Sequence, residues 1–289
     1  MRRVHIGQKL NVEDLVRIEW QKKYAEPGLL GSMLKECGIT FVDLNITAQT
    51  DETVILRLAE MFADIGLFIS LDLKYSRFSP ESFDSHWALF LAERLRIAQA
   101  VANITKVPVP YVLHCGFGNS LGVEKKQEEL ITGGKEFFAW VDKMIVEQYG
   151  DVVALCETWD INADLEKQQE YWQNCLTLIE ETNLGICWDF LHSWFVSTRI
   201  GQQRFPGEDF LARVDHVHAC DAHVNGSGQI DYLPLTDGAV PWREYSSLLA
   251  RHDYDSTIVL KVDPGYYRGL YTFLKGVSDG VSKLRFFFD

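Results

Sequence analysis

The chain has 289 residues, and three scarcities narrow what it can be. It has no CxxC pair and no short cysteine framework. Cys37, Cys115, Cys156, Cys175, Cys187 and Cys220 are scattered, several of them inside apolar runs, so reduced and packed thiols are expected. No apolar run approaches the length a membrane-spanning helix needs, and the opening MRRVHIGQKL has a basic pair without the apolar stretch of a signal peptide. Positive charge is also scarce: 28 Lys and Arg face 41 Asp and Glu, giving a formal net charge of −13 with no basic stripe. A polyphosphate backbone would be repelled. The expectation is a soluble cytoplasmic protein that binds neither nucleic acid nor membrane. A glycine-rich nucleotide fingerprint is missing as well, which argues against a nucleotide cofactor.

What is present is ordinary globular material, 47% hydrophobic and 24% charged, enough to build one large core. Strand-like apolar runs fall near 3–7, 39–45, 67–73, 109–114, 151–157, 184–190, 213–219 and 257–262. Helical patterns lie between them, most clearly over 80–104, 124–148, 162–182 and 266–284. Ser79 and Pro80 fit the N-cap and first turn of the helix at 80–104. Gly38, Gly66, Gly150 and Gly185 recur where a helix gives way to a strand, which predicts positive φ at such turns. Region 11–36 reads as a short rim helix followed by a first outer helix near 28–37. Alternation of strand and helix predicts a parallel sheet, and eight strands favour closure over an open doubly wound sheet. The expected architecture is a single (β/α)8 TIM barrel over residues 1–289.

Carboxylates and imidazoles stand at the ends of successive strand-like runs. Glu157 closes DVVALCE, Asp189 and His192 fall in GICWDFLH, and His218 and Asp221 fall in VDHVHACD. The last run, STIVLKVDPG, ends in Lys261 and Asp263. In parallel barrels the C-terminal strand ends collect the chemistry, so this series predicts one polar site on that rim. His114 ends the fourth run, at a place suited to substrate, a second metal or a core role. His216 and His218 alternate along one strand and so share a face. Trp159, Trp188, Trp194 and Phe195 crowd near the predicted rim, where they could stack on a sugar or simply pack. His5 has no assignable partner, and His223, in the loop that follows the seventh run, reads as a solvated residue rather than a ligand.

In order, the segments CET, CWDFLH, HVHACD, DYLPLTDGAVPW and VLKVD resemble the xylose isomerase-like barrels of sugar-phosphate isomerases and epimerases, a family that also includes endonuclease IV. The resemblance implies that Glu157, Asp189 and His218 are ligands of one divalent metal (Mn, Mg or Zn) and that His192 contacts a substrate oxygen. It also implies a strand-eight glutamate that binds metal and exchanges a proton, but Lys261 stands in that place. An ammonium there would pair with Glu157 and supply positive charge to a substrate carbonyl or phosphate.

The function expected on these grounds is isomerisation or epimerisation of a sugar, sugar phosphate or inosose by proton transfer next to a carbonyl. Glu157, Lys261 and His192 are the catalytic candidates, and His114, Trp188 and His192 the substrate-binding ones. A rival from another class is a non-catalytic sugar-binding protein that has lost the metal-binding glutamate. An endonuclease fits less well, because Tyr232 and Lys74 stand where its metal cluster would need other ligands and the net charge is acidic. The expected partner is a small carbohydrate, and the sequence leaves open whether copies of the chain associate.

Overall fold

The computed structural model describes residues 4–74, 85–114, 127–158, 171–199, 205–224, 230–236, 238–262 and 264–289. Its strands are β1 (His5–Asn11), β2 (Phe41–Thr47), β3 (Phe68–Lys74), β4 (Val109–Leu113), β5 (Val152–Glu157), β6 (Gly185–Asp189), β7 (Val214–Ala219), β8 (Asp221–Val224), β9 (Ile230–Leu233) and β10 (Thr257–Leu260). Eight of them close a parallel barrel in the order β1-β10-β7-β6-β5-β4-β3-β2, and β8 with β9 forms a small antiparallel hairpin beside it. The closed (β/α)8 barrel expected from strand–helix alternation is therefore what forms.

The strand positions follow the apolar runs closely. β1 departs most: it continues to Asn11, past the run at 3–7, because Lys9 turns its ammonium into a barrel interior that is itself polar, while Gln8 on the other face donates to the Val262 carbonyl at 3.0 Å. The helices expected over 80–104, 124–148, 162–182 and 266–284 are Ser85–Thr105, Gln127–Gln148, Tyr171–Ile179 and Leu270–Phe288. Ser79 and Pro80 lie outside the described residues. Region 11–36 holds three helices, Val12–Leu15, Ile18–Tyr24 and Pro27–Glu36.

Two glycines show that different constraints recruit the same residue. Gly66 caps the helix Glu52–Ile65 in the left-handed region at φ 78°, as the turn into β3 requires. Among the described residues only Gly38 and Gly66 are glycines with positive φ, which corrects the expectation for Gly150 and Gly185. Gly185 is needed for space instead, since a Cβ there would lie 2.2 Å from Asp215 Oδ2 and 2.9 Å from Leu155 Cδ2.

Most of the apolar core lies between the outward faces of the strands and the surrounding helices. Inside the barrel, Val112, Leu155 and Cys187 form a small apolar plug. Two residues further along the same strands, the inward faces carry His114, Glu157 and Asp189, because side chains alternate with period two. The plug is thus the floor beneath the polar rim.

Alternation also corrects one expected substrate contact. Trp188 sits between inward Cys187 and Asp189, so it faces outward, fully buried, with its ring 4.9 Å from those of Phe190 and Tyr245. Its indole N–H donates to Ser193 Oγ at 2.8 Å. Trp188 is a core residue and does not line the rim. Replacing it as Trp188→Ala should lower unfolding stability in urea by about 3–5 kcal/mol, the usual penalty for emptying a large aromatic site. A loss below about 1 kcal/mol would contradict this packing role.

Candidate active site

The rim is built from one charged or imidazole side chain per strand. Lys9 comes from β1, Asp43 from β2, Asp72 from β3, Glu157 from β5, Asp189 from β6 and His218 from β7. His114 follows the end of β4, and Lys261 follows β10, held there by its N–H donating to the Ala219 carbonyl at 2.9 Å. His192 enters from the first turn of the helix Phe190–Arg199. Asp189 begins that helix: its Oδ1 accepts from the backbone N–H of Leu191 at 2.8 Å and of His192 at 3.0 Å. A capping carboxylate thereby fixes the position of His192.

Contacts run continuously around the ring. His114 bridges Asp72 and Glu157, with Nε2 2.8 Å from Asp72 Oδ1 and Nδ1 2.8 Å from Glu157 Oε2. The other oxygen of Glu157 lies 2.7 Å from His218 Nδ1. Lys261 Nζ donates to Asp189 Oδ2 at 2.6 Å and stands 3.9 Å from Glu157 Oε1. On the opposite side Lys9 Nζ contacts Asp72 Oδ2 and lies 3.9 Å from Asp43 Oδ2, while Asp43 Oδ1 accepts from Ser70 Oγ at 2.6 Å.

Layering follows from exposure. The Asp43, Asp72, Glu157 and Asp189 side chains keep at most 1% of their surface open, whereas Lys9 and Lys261 keep 14% and His114 and His192 keep 13%. A molecule reaching this cluster therefore meets nitrogen groups that cover a bed of carboxylates.

Electrostatics set the proton inventory. Burial opposes the charge of Asp72, Glu157 and Asp189, but Lys9 and His114 for the first, His114 and Lys261 for the second, and Lys261 for the third hold all three well below the usual carboxylate range. Burial likewise opposes the charge of Lys261 and His114. Asp189 and Glu157 overcome it for Lys261, and Glu157 and Asp72 for His114, whose imidazole is raised to about 9. His192 goes the other way, because burial outweighs its carboxylate neighbours and lowers it. Its Nδ1 lies 2.7 Å from the Thr158 carbonyl, which only accepts, so the neutral ring carries its proton on Nδ1 and its lone pair on Nε2.

Glu157, Asp189 and His218 do converge as a metal site would require, with one ligand atom of each within 4.8 Å of the others. The group nevertheless does not fit a divalent cation. Glu157 and His218 spend their facing atoms on each other, and Lys261 already neutralises Asp189. Asp43, Asp72 and His218 also gather, but Lys9 holds that trio in the same way. A further trio, Cys187, His216 and His218, is fully buried, and burial keeps the thiol protonated.

The structure thus unites Glu157, Asp189, His218, Lys261, His114 and His192, and adds Lys9, Asp43 and Asp72. The signal for Asp43 and Asp72 was a charge enclosed by apolar neighbours within a strand, VDL and LDL, whereas Lys9 lies past the apolar run at 3–7 and carried no such signal. His216 stacks by His218 with ring centroids 5.3 Å apart, as their alternation implied. Asp221 stands apart, accepting from the N–H groups of Ala222, Thr236, Gly238 and Val240 to organise the turn after β9. His5 faces Phe68 at the other end of the barrel, and His223 and Tyr232 lie on the hairpin. Trp194 packs partly buried on the core. Trp159 and Asp263 lie outside the described residues.

A family model described as xylose isomerase-like TIM barrel matches residues 32–275. The chain belongs to this family. Among solved xylose isomerase-like barrels and other similar structures, the chain resembles D-psicose 3-epimerase from Clostridium cellulolyticum H10, with 10% identity, TM-score 0.63, and 99% of this chain and 100% of that one covered. It also resembles a sugar phosphate isomerase/epimerase from Parabacteroides distasonis (14% identity, TM-score 0.59, 98% and 95% covered). A probable 3-DHS dehydratase from Bacillus anthracis is similar to the same degree (15% identity, TM-score 0.60, 96% and 98% covered). At these identities the likeness is one of fold. No curated protein matches the chain.

His114 gives a pH test. Its imidazole is raised from 6.5 to about 9, so its contribution to stability is complete below 6.5 and is lost as pH rises through about 9. The stability gap between the native protein and His114→Asn, measured by urea unfolding, should narrow across that window. A gap that stays constant or widens would contradict the assignment.

Proposed function

We propose that this rim catalyses proton transfer at a carbon next to a carbonyl, making the protein an isomerase or epimerase of a sugar, sugar phosphate or inosose-like compound. The observation that carries the reading is the gathering of His192, His114 and Lys261 over one bed of buried carboxylates, with His192 Nδ1 turned to the Thr158 carbonyl at 2.7 Å and His114 held between Asp72 and Glu157 at 2.8 Å each; burial lowers the first imidazole and the carboxylates raise the second to about 9. Groups pushed apart in this way divide acid and base work. Similar folds named D-psicose 3-epimerase and sugar phosphate isomerase/epimerase agree with it.

In this reading neutral His192 is the base. Its Nε2 lone pair takes the proton from carbon, the C–H electrons form the C–C double bond of an enediolate, and the carbonyl electrons move onto oxygen. The ammonium of Lys261 stabilises that oxygen from the covering layer, His114 adds only the field of its charge because both its N–H groups are spent on Asp72 and Glu157, and no step passes through a metal. Return of the proton to the neighbouring carbon, with the hydroxyl proton passing from one enediolate oxygen to the other, gives an isomer; delivery of a solvent proton to the opposite face of the same carbon gives an epimer. Glu157, enclosed between His114 and His218, is a positioning residue that keeps His114 charged.

The test is solvent exchange across a panel of ketoses, aldoses and inososes in D2O. An isomerase or epimerase washes deuterium into its substrate, whereas saturable binding without exchange would overturn the reading in favour of a sugar-binding protein. With the substrate in hand, His192→Gln should lower kcat by about 10²–10⁴-fold, the usual span for a general base. Glu157→Gln should move the alkaline limb of the pH profile down from about 9, where His114 loses its proton. Unchanged rates and profiles would exclude both roles.

A further inference from the structure

Lys9 stands on β1 and Lys261 directly after β10, two barrel strands that pair with each other in a register aligning Gln8 with Leu260, the residues immediately before the two lysines. Each ammonium rests on a different pair of buried carboxylates, Lys9 on Asp72 with Asp43 at 3.9 Å, and Lys261 on Asp189 at 2.6 Å with Glu157 at 3.9 Å. An ammonium has three hydrogens to donate. The carboxylates beneath take one or two from each lysine, and both side chains keep 14% of their surface open while those carboxylates keep at most 1%. Two ammonium groups on adjoining strands, each held by buried carboxylates and each partly open, therefore keep donors unspent at one part of the rim.

We propose that Lys9 and Lys261 form a two-ammonium cradle that binds a substrate oxyanion and does at this rim what a divalent cation would otherwise do. The inference deepens the proton-transfer reading and rests on it for its catalytic meaning: the oxyanion is the enediolate that forms when the carbon proton leaves. The cradle suits this task because its charges are fixed before the reaction, so positive potential is already aimed where negative charge develops. It also explains why two separate carboxylate gatherings hold a lysine each. Either gathering would attract a cation, and the protein supplies that cation covalently. Lys9 thus becomes a second catalytic lysine, one strand away from the lysine at the family's glutamate position.

Oxalate is the probe: two coplanar carboxylates present the oxygen spacing of a cis-enediolate and cannot react. Calorimetric titration of the native protein should show one oxalate site and no stoichiometric Mn²⁺ site at the rim. Lys9→Met and Lys261→Met should each weaken oxalate at least tenfold, and Lys261→Glu should gain one Mn²⁺, read by its paramagnetic resonance signal. If Lys9→Met does not fold because Asp72 is left unpaired, the charge-neutral pair Lys9→Met with Asp72→Asn replaces it. The proposal is overturned if the native protein fails to bind oxalate, if it takes up one Mn²⁺ at the rim, or if folded lysine variants bind oxalate unchanged. These readings need no turnover. Oxalate held by the lysines in a protein that exchanges no substrate hydrogen would sink the isomerase reading alone, and exchange without oxalate binding would sink the cradle alone.

Discussion

The rim depends on buried carboxylates being neutralised from within the chain. Four carboxylates at the mouth of a closed barrel have almost no contact with water, and none would remain ionised there without cationic partners. Lys9, Lys261 and His114 supply the positive charge, one from each of three strands. Once these pairs form, the carboxylates become supports and the nitrogen groups become the working surface. Removing one member would leave its partner as an uncompensated buried charge, so the site is expected to succeed or fail as a unit.

The barrel makes this economy workable because each strand contributes one inward residue at a given height. Val112, Leu155 and Cys187 close the floor, and the next inward positions carry the charges. The same alternation turns Trp188 away from the rim and brings His218 over Glu157. Asp189 links the two levels, holding Lys261 with one oxygen and beginning the helix that carries His192 with the other. Base and cation are thereby referred to a single carboxylate.

Much of this was legible in the sequence. Seven barrel strands matched their apolar runs closely, and Glu157, Asp189, His218 and Lys261 converge because the ends of those runs are the ends of the strands. Asp43 and Asp72 escaped notice because each lies inside a run, where the eye credits the apolar neighbours and discounts the charge, and Lys9 because it lies just past the end of one. They are inward residues in the polar half of a barrel, and closure is needed to know that such a half exists. Trp188 misled for the converse reason: proximity in sequence to Asp189 says nothing of which face a strand residue takes. The division between His114 and His192 could not be read at all, since it depends on which carboxylate reaches which ring nitrogen.

The resemblance of the motifs alone implies a metal enzyme. The lysine after β10 changes that expectation more than any other residue, because one ammonium converts a set of ligands into a set of ion pairs. The account therefore stands on the protonation states of the rim, which nitrogen-15 NMR of the histidine rings reads directly. At neutral pH it predicts His114 as the doubly protonated cation and His192 as the neutral ring with its proton on Nδ1. A neutral His114, or a charged His192, would contradict it.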